Sequence, residues 1–373
     1  MNVNKPRFTV LCLSVLMLAM TCGLSRAQAP NAAPNTANPQ APAGTNFFKF
    51  DSALDAILAS DTKLEMLKAE GFEGGEGPVW FSEAKGGYLL FSDVPGNRIY
   101  KWTPACYGAG CPPDGTLSVF QEHSGYKDAS RVGKADANGK RLSGSNGLTL
   151  DRQHRVLIDA TGDRAVERLE KDGSRTILAD HYEGKHLGCV NDIVAKSDGA
   201  VYFTDGPAGC LEGGENSPLK ELSFHAFYFV KDGKVQLLDE DPGGAPPNGI
   251  TLSPDQKTLY VTNAPAKKQI FAYDVQADDT VKKNPRVLVD LAGEKGLGGP
   301  DGVRVDRKGN VYTAATGGVW IVSPDGKRLG KVPAPEGIRF ANLAFGDPDS
   351  KTLYIVSAKN LWRIRVKIPG FRP

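Results

Sequence analysis

The chain lacks a dominant charge. Its 45 Lys and Arg face 43 Asp and Glu across 373 residues, a formal charge of +2. No basic residues gather into a cluster, and a nucleic-acid-binding face requires one, so that class of partner is excluded. Histidine is scarce, with 5 residues. No His pair stands at zinc spacing from the cysteines, which argues against a four-ligand structural zinc centre. Long hydrophobic runs are also missing. The one sustained run, "FTVLCLSVLMLAM", lies at the N-terminus and is short for a membrane span. What the chain has in abundance is punctuation: 43 Gly and 25 Pro interrupt short, β-rich runs. That pattern, at this length, fits one large all-β domain.

Residues 1–27 read as a secretory signal peptide. Lys5 and Arg7 precede the apolar run, and the small residues of "LSRAQA" follow it. Cleavage is expected after Ala27; Ala29 is a worse site because Pro30 follows. An uncleaved anchor is the alternative, and lipidation at Cys22 fits poorly beside Met20 and Thr21. Losing Lys5, Arg7 and Arg26 moves the formal charge from +2 to about −1. Residues 28–47, rich in Pro, Ala and Asn, read as a disordered spacer, because such a composition cannot bury a core. The expected location is periplasmic or secreted, with no membrane association after signal removal.

Residues 48–369 carry six copies of one unit. They begin "EGPVWFSEAKGGYLLFSD" at Glu76, "NGLTLDRQHRVLIDA" at Asn146, "NDIVAKSDGAVYFTD" at Asn191, "NGITLSPDQKTLYVTN" at Asn248, "DGVRVDRKGNVYTAA" at Asp301 and "NLAFGDPDSKTLYIVSA" at Asn342. Each runs polar residue, short strand, polar turn, second strand, loop. The starts lie roughly 40 to 70 residues apart, the period of a four-stranded propeller blade with insertions. The expected fold is therefore all-β, a six-bladed β-propeller. The last unit ends after three strands. An unassigned candidate strand, "KLEMLKAEGF", precedes the first unit, so the ring is expected to close by this N-terminal strand joining the C-terminal blade. A solenoid would instead need capping units. "DSALDAILA" reads as a short helix begun by Asp51 or Ser52.

In a propeller the first strand of each blade lines the central channel. The residue that opens it stands at one channel mouth. Glu76, Asn146, Asn191, Asn248, Asp301 and Asn342 share that phase. Carboxylate and amide oxygens suit a hard divalent cation, calcium first, with magnesium, manganese or zinc as alternatives. Each residue taken singly is better explained as a partner for backbone groups at a strand entry, and the shared phase of two acids and several amides is what favours a metal.

"EGPVW", "VNDIVAKSDGAVYFTDGPAG", "PNGITLSPDQKTLYVTN" and "PDGVRVDRKGNVY", in this order between about Leu64 and Val366, resemble the senescence-marker-protein/gluconolactonase family of six-bladed propellers. The resemblance implies metal ligands at Glu76, Asn191, Asn248 and Asp301. It also implies hydrolysis of a sugar lactone, with Asp301 as the base for the attacking water and Glu76 as the competing candidate. Asn146 and Asn342 lie outside the family's usual ligand set. Asn146, Asn191 and His186 are the candidate substrate contacts. Asp192 is expected to face away from the channel, because successive strand residues point to opposite faces.

Two departures from the family's pattern stand out. Thr161 replaces a usual His, and "GKHLGCVND" stands where "GKRLNSPND" is common. Both are expected on the substrate side, which puts gluconolactone itself in question. An esterase or phosphotriesterase of the same fold, using the same kind of ion, is the first alternative reading; the departures motivate a second, a non-catalytic extracytoplasmic propeller that binds a sugar acid. The protein is expected to act as a monomer.

Cys12 and Cys22 should leave with the signal peptide. The remaining four, Cys106, Cys111, Cys189 and Cys210, allow three pairings. Cys106 and Cys111 share one short loop, "ACYGAGCPP". Cys189 and Cys210 fall at the same end of the third unit, so the expected disulfides are Cys106–Cys111 and Cys189–Cys210.

Overall fold

Six antiparallel sheets, five of four strands and one of five, follow one another around a ring. The structure, a computed structural model, describes residues 47–128, 143–263 and 267–372 besides Met1. The expected signal peptide except Met1, and all of the expected spacer except Phe47, lie outside these residues. Phe47 itself is buried and packs with Leu54 and Ile57 in the fold.

Blade 1 comprises Gly75–Glu83, Gly86–Asp93, Arg98–Pro104 and Gly115–Glu122. Blade 2 comprises Leu148–Leu150, Val156–Ala160, Ala165–Leu169 and Arg175–Ala179. A small hairpin, His181–Tyr182 with Lys185–His186, leads into blade 3. Blade 3 comprises Cys189–Ala195, Val201–Gly206, Ala226–Lys231 and Lys234–Glu240. Blade 4 comprises Pro247–Leu252, Thr258–Asn263, Gln269–Asp274 and Arg286–Asp290. Blade 5 comprises Val303–Val305, Val311–Ala315, Gly318–Val322 and Arg328–Pro333, with Phe48–Lys49 added at its outer edge. Blade 6 comprises Phe340–Gly346, Thr352–Ser357 and Leu361–Arg365.

The fourth strand of blade 6 comes from the other end of the chain. Glu65–Lys68 pairs antiparallel with Leu361–Arg365, with Glu65 opposite Arg363 and Met66 opposite Trp362. Arg363 is buried and donates to the Glu65 carboxylate at 2.7 Å. The ring therefore closes as the repeat count requires, and the joint removes an open sheet edge. Asp51 caps a single turn of 3-10 helix, Ser52–Ala56, by accepting from the Ala53 amide at 2.8 Å.

The hydrophobic core is divided among the blade interfaces. One apolar cluster fills each contact between neighbouring blades. Alternation along a strand feeds two clusters at once: Tyr202 packs toward blade 4 and Phe203 toward blade 2. Every residue of Gly86–Asp93 and Thr352–Ser357 is buried for this reason. A strand buried on both faces reads as an unbroken apolar run rather than a half-polar one.

Candidate active site

The first strand of each blade starts at the same end of the channel, as the shared sequence phase predicts. A register shift falls at the start of that strand in blades 1, 3, 4 and 6: between Glu76 and Val79, Val190 and Ile193, Pro247 and Ile250, and Phe340 and Asn342. Such bulges re-aim side chains next to functional sites. Here they break the strict alternation at the mouth. Asp192, expected to face away, instead lies buried close enough to Glu76 and Asp301 for its charge to act on both.

Hydroxyls from the second strands pin the mouth residues' backbones. Thr204 Oγ1 donates to the Asn248 carbonyl at 2.6 Å, and Thr262 Oγ1 to the Asp301 carbonyl at 2.9 Å. Thr161 Oγ1 donates to the Val190 carbonyl at 2.6 Å, just before Asn191. Thr161 is 5% exposed. The structure thus places this departure from the family pattern in the joint between blades 2 and 3, not on an open substrate face.

The electrostatics centre on Glu76 and Asp301. Glu76 is half-buried, and its carboxylate is hydrogen-bonded. Gly77 N–H and Asn342 Nδ2 both donate to its Oε2 at 3.3 Å. Burial pushes its pKa well up, the Asp301 and Asp192 charges add to that, and Arg339 opposes it. Burial also pushes Asp301 up to about 6, against the pull of Arg339 and a hydrogen bond from the Asn248 side chain. Arg339 Nη2 pairs with Asp301 Oδ2 from the segment before blade 6, its side chain 54% exposed. Below them, Asp192 accepts from Ile193 N–H at 2.9 Å and Ile250 N–H at 3.3 Å, and faces Arg304 at 3.4 Å.

This donor set fits a hard divalent cation. Burial raises the pKa of both carboxyls, and a nearby divalent charge would favour their ionised forms. The buried Oδ1 of Asn146 has no hydrogen-bond partner. Among the described residues no group of three His, Cys, Asp or Glu side chains is arranged as a metal cluster. Oxygens at this mouth come from two acids and several amides, a composition of calcium rather than zinc type.

His186 stands on the exposed hairpin before blade 3. Its ring packs on His181 with centroids 3.8 Å apart, its amide donates to Glu221, and its carbonyl accepts from Arg164. None of these contacts joins it to Glu76 or Asp301. Gly188 in the same segment donates to Asp205 at 2.7 Å, and a Cβ there would lie 2.6 Å from an Asp205 oxygen. Both expected disulfides are formed, Cys106–Cys111 and Cys189–Cys210, each with Cα atoms 5.7 Å apart. The second ties the segment leading to Asn191 to the loop after the second strand of blade 3.

Sequence reasoning missed Arg304 and Arg339. Arg304 carried a signal, because a charged residue between Val303 and Val305, both buried in a blade interface, must point into the channel. Arg339 carried no local signal.

A six-bladed propeller with an acid-and-amide ring at one channel mouth defines the class. The chain belongs to the SMP-30/gluconolactonase/LRE-like family, whose profile matches residues 74–359. A gluconolactonase of Zymomonas mobilis is 34% identical over 330 residues, covering 86% of each chain. A pentonolactonase of Haloferax volcanii is 25% identical over 287 residues, covering 76% of this chain and 81% of that one. The solved structure of a Xanthomonas campestris gluconolactonase superposes with a TM-score of 0.68 at 29% identity, covering 86% of this chain and 94% of that one.

Proposed function

We propose that this protein is a lactone hydrolase acting on a sugar lactone, dependent on one divalent cation held by Glu76, Asn191, Asn248 and Asp301. The observation that carries the proposal is the facing pair of Glu76 and Asp301, enclosed together at the channel mouth of a propeller of this family. Lactonase relatives that cover most of the chain support the substrate class.

The bound cation would supply Lewis acidity toward the lactone carbonyl. The chain's own residues do the rest. Asp301, held by Arg339 and Asn248, is placed to accept the proton of the attacking water. Its carbonyl is fixed by Thr262, so the carboxylate is presented from a rigid base. Arg339, half-exposed above Asp301, is placed to donate to ring hydroxyls of the substrate. Asn146 and Asn191 offer amide groups on the same rim. His186 remains a candidate contact through a substrate that extends over the blade 3 hairpin.

Two disulfides support an exported, oxidising location, periplasmic or secreted. The test is acid release from five- and six-carbon aldonolactones with and without chelator, with paraoxon as the competing substrate. Chelator-sensitive lactone opening supports the proposal. Hydrolysis of paraoxon alone would move the protein to the phosphotriesterase reading, and binding without turnover would move it to a sugar-acid-binding propeller.

A further inference from the structure

The channel has a second mouth, and its chemistry is the opposite of the first. Where Glu76, Asn146 and Asp301 begin the inner strands, Ser82, Arg152 and Arg307 lie at or just beyond their ends. Around that end lies a cavity of about 720 Å³. Arg152 and His154 enter it from the turn after Leu148–Leu150, and Arg307 from the turn after Val303–Val305. Arg372 enters from the C-terminal segment.

That segment is fastened across the rim. Arg307 N–H donates to the Pro369 carbonyl at 2.9 Å, Gly370 N–H to Ser350 at 2.7 Å, and Phe371 N–H to Val305 at 2.9 Å. A Cβ on Gly370 would lie 1.9 Å from the Phe345 ring, so the fit there is tight. Arg372 is thereby brought next to Arg307. Its side chain has a hydrogen bond to Ser82 Oγ at 3.2 Å. Burial and the Arg307 charge both lower its pKa from the ordinary value, and Asp347 and Asp349 offset this in part.

The acids nearby are already engaged. Asp151, the one acid lining the cavity among the described residues, accepts from Arg155 Nε at 2.8 Å and from two backbone amides. Asp347 and Asp349 hold Arg365. Arg152 and Arg307 have no carboxylate partner among the described residues. Three guanidiniums thus line one concave space in which, among the described residues, Asp151 is the one acid, and it is held by Arg155. Trp80, Leu150 and Phe371 supply apolar wall. The volume falls in the range of small-ligand sites, roughly 300–1,000 Å³. Guanidinium forks match the paired oxygens of phosphate and carboxylate groups.

We propose that this second mouth is a binding site for a small multivalent oxyanion, a phosphate or dicarboxylate, held by Arg152, Arg307 and Arg372. The site is separate from the acid-and-amide mouth and does not depend on the lactonase reading.

The probes are inorganic phosphate and succinate, titrated calorimetrically into the full mature protein, with sodium chloride at matched ionic strength as control. Saturable binding that weakens with added salt is expected. Arg307→Gln with Arg372→Gln should weaken it at least tenfold, while Asp301→Ala leaves it intact. Arg152→Gln, an exposed turn substitution that leaves the fastened segment untouched, should weaken it severalfold, and it serves as the check if the double variant fails to fold. A stronger response to phosphate or to succinate assigns the source of the anion. No heat beyond the chloride control overturns the proposal, as does equal binding by the folded Arg152→Gln and double variants.

Discussion

A Cβ on Gly249 would stand 2.2 Å from the carbonyl oxygen of Asp301. The relation recurs around the ring. A Cβ on Gly77 would lie 2.0 Å from the Asn146 carbonyl, and one on Gly302 would lie 2.0 Å from the Asn342 side chain. In blades 1, 4 and 5 the glycine that follows the mouth residue is therefore the seat for the next blade's mouth residue. Gly249→Ala should force Asp301 outward, at a cost of about 1–3 kcal/mol from overpacking, and lower turnover together with stability. Urea denaturation and an activity assay check this; an alanine variant with wild-type values in both would contradict the close seating.

Asp301→Ala should abolish calcium binding and turnover while leaving the circular-dichroism spectrum unchanged, because hard-cation sites depend on ligand charge. Glu76→Gln should weaken the ion markedly. Arg339→Gln should act in the other direction on the ion, tightening it roughly three- to tenfold, about 0.7–1.4 kcal/mol, since it removes a positive charge that competes for Asp301. Turnover by Arg339→Gln should fall if its guanidinium meets substrate. Calorimetric calcium titration and initial rates separate the two effects.

Asp159 gives a pH-dependent prediction. It is fully buried, and neither carboxylate oxygen has a partner. It lies opposite Gly147, as Thr262 lies opposite Gly249, at the position where the blade-joining hydroxyl sits. Burial, then the Asp192 and Asp205 charges, push its pKa well up, and burial pushes Asp205 up to about 6. Both groups hold protons more tightly folded than unfolded. Their contribution to stability is full below about pH 4 and is lost as pH rises through about 6 for Asp205 and through the raised pKa of Asp159. Asp159→Thr should therefore stabilise the protein by about 1–3 kcal/mol at pH 7.5 and do little at pH 4. Urea midpoints at the two pH values decide it; an equal change at both would remove the titration argument.

Replacing Cys189 and Cys210 by Ala should cost about 2–4 kcal/mol. It should loosen the loop after the second strand of blade 3 and raise KM for the lactone. The ion should stay bound, because neither sulfur belongs to the donor set. Non-reduced peptide mapping should show Cys189 linked to Cys210 and Cys106 linked to Cys111.

Deleting residues 62–72 should destabilise the whole ring. It exposes the edge of Leu361–Arg365 and strips buried Arg363 of its Glu65 partner. A monomeric deletion variant with an undiminished melting temperature would show that the joint is dispensable.

The repeat, the blade count and the closing strand were legible because their signals are local. Alternating β-branched residues, polar turns and a fixed phase recur within each short window, and only one architecture closes six such units. The phase also named Glu76, Asn146, Asn191, Asn248, Asp301 and Asn342 before any geometry, and the family resemblance singled out Glu76, Asn191, Asn248 and Asp301 among them. Both disulfides followed from loop length and strand direction. The inward turn of Asp192 was not legible, because a bulge inserts one residue without altering the local pattern and then reverses which face a side chain meets. Thr161 looked like a substrate-side departure because its partner, the Val190 carbonyl, lies 29 residues away.

What the sequence by itself determined is the propeller, its closure and the ring of acids and amides at one mouth. Those follow from periodicity, which each strand expresses alone. Only the tertiary structure decided that Arg339 meets Asp301, that glycines seat the neighbouring mouth residues, and that Arg152, Arg307 and Arg372 share one cavity. These residues sit in different blades and in the C-terminal segment. Their proximity exists only once six interfaces have packed and the ring has closed, because contact between distant segments is set by the curvature of the whole assembly and leaves no mark on the residues beside them.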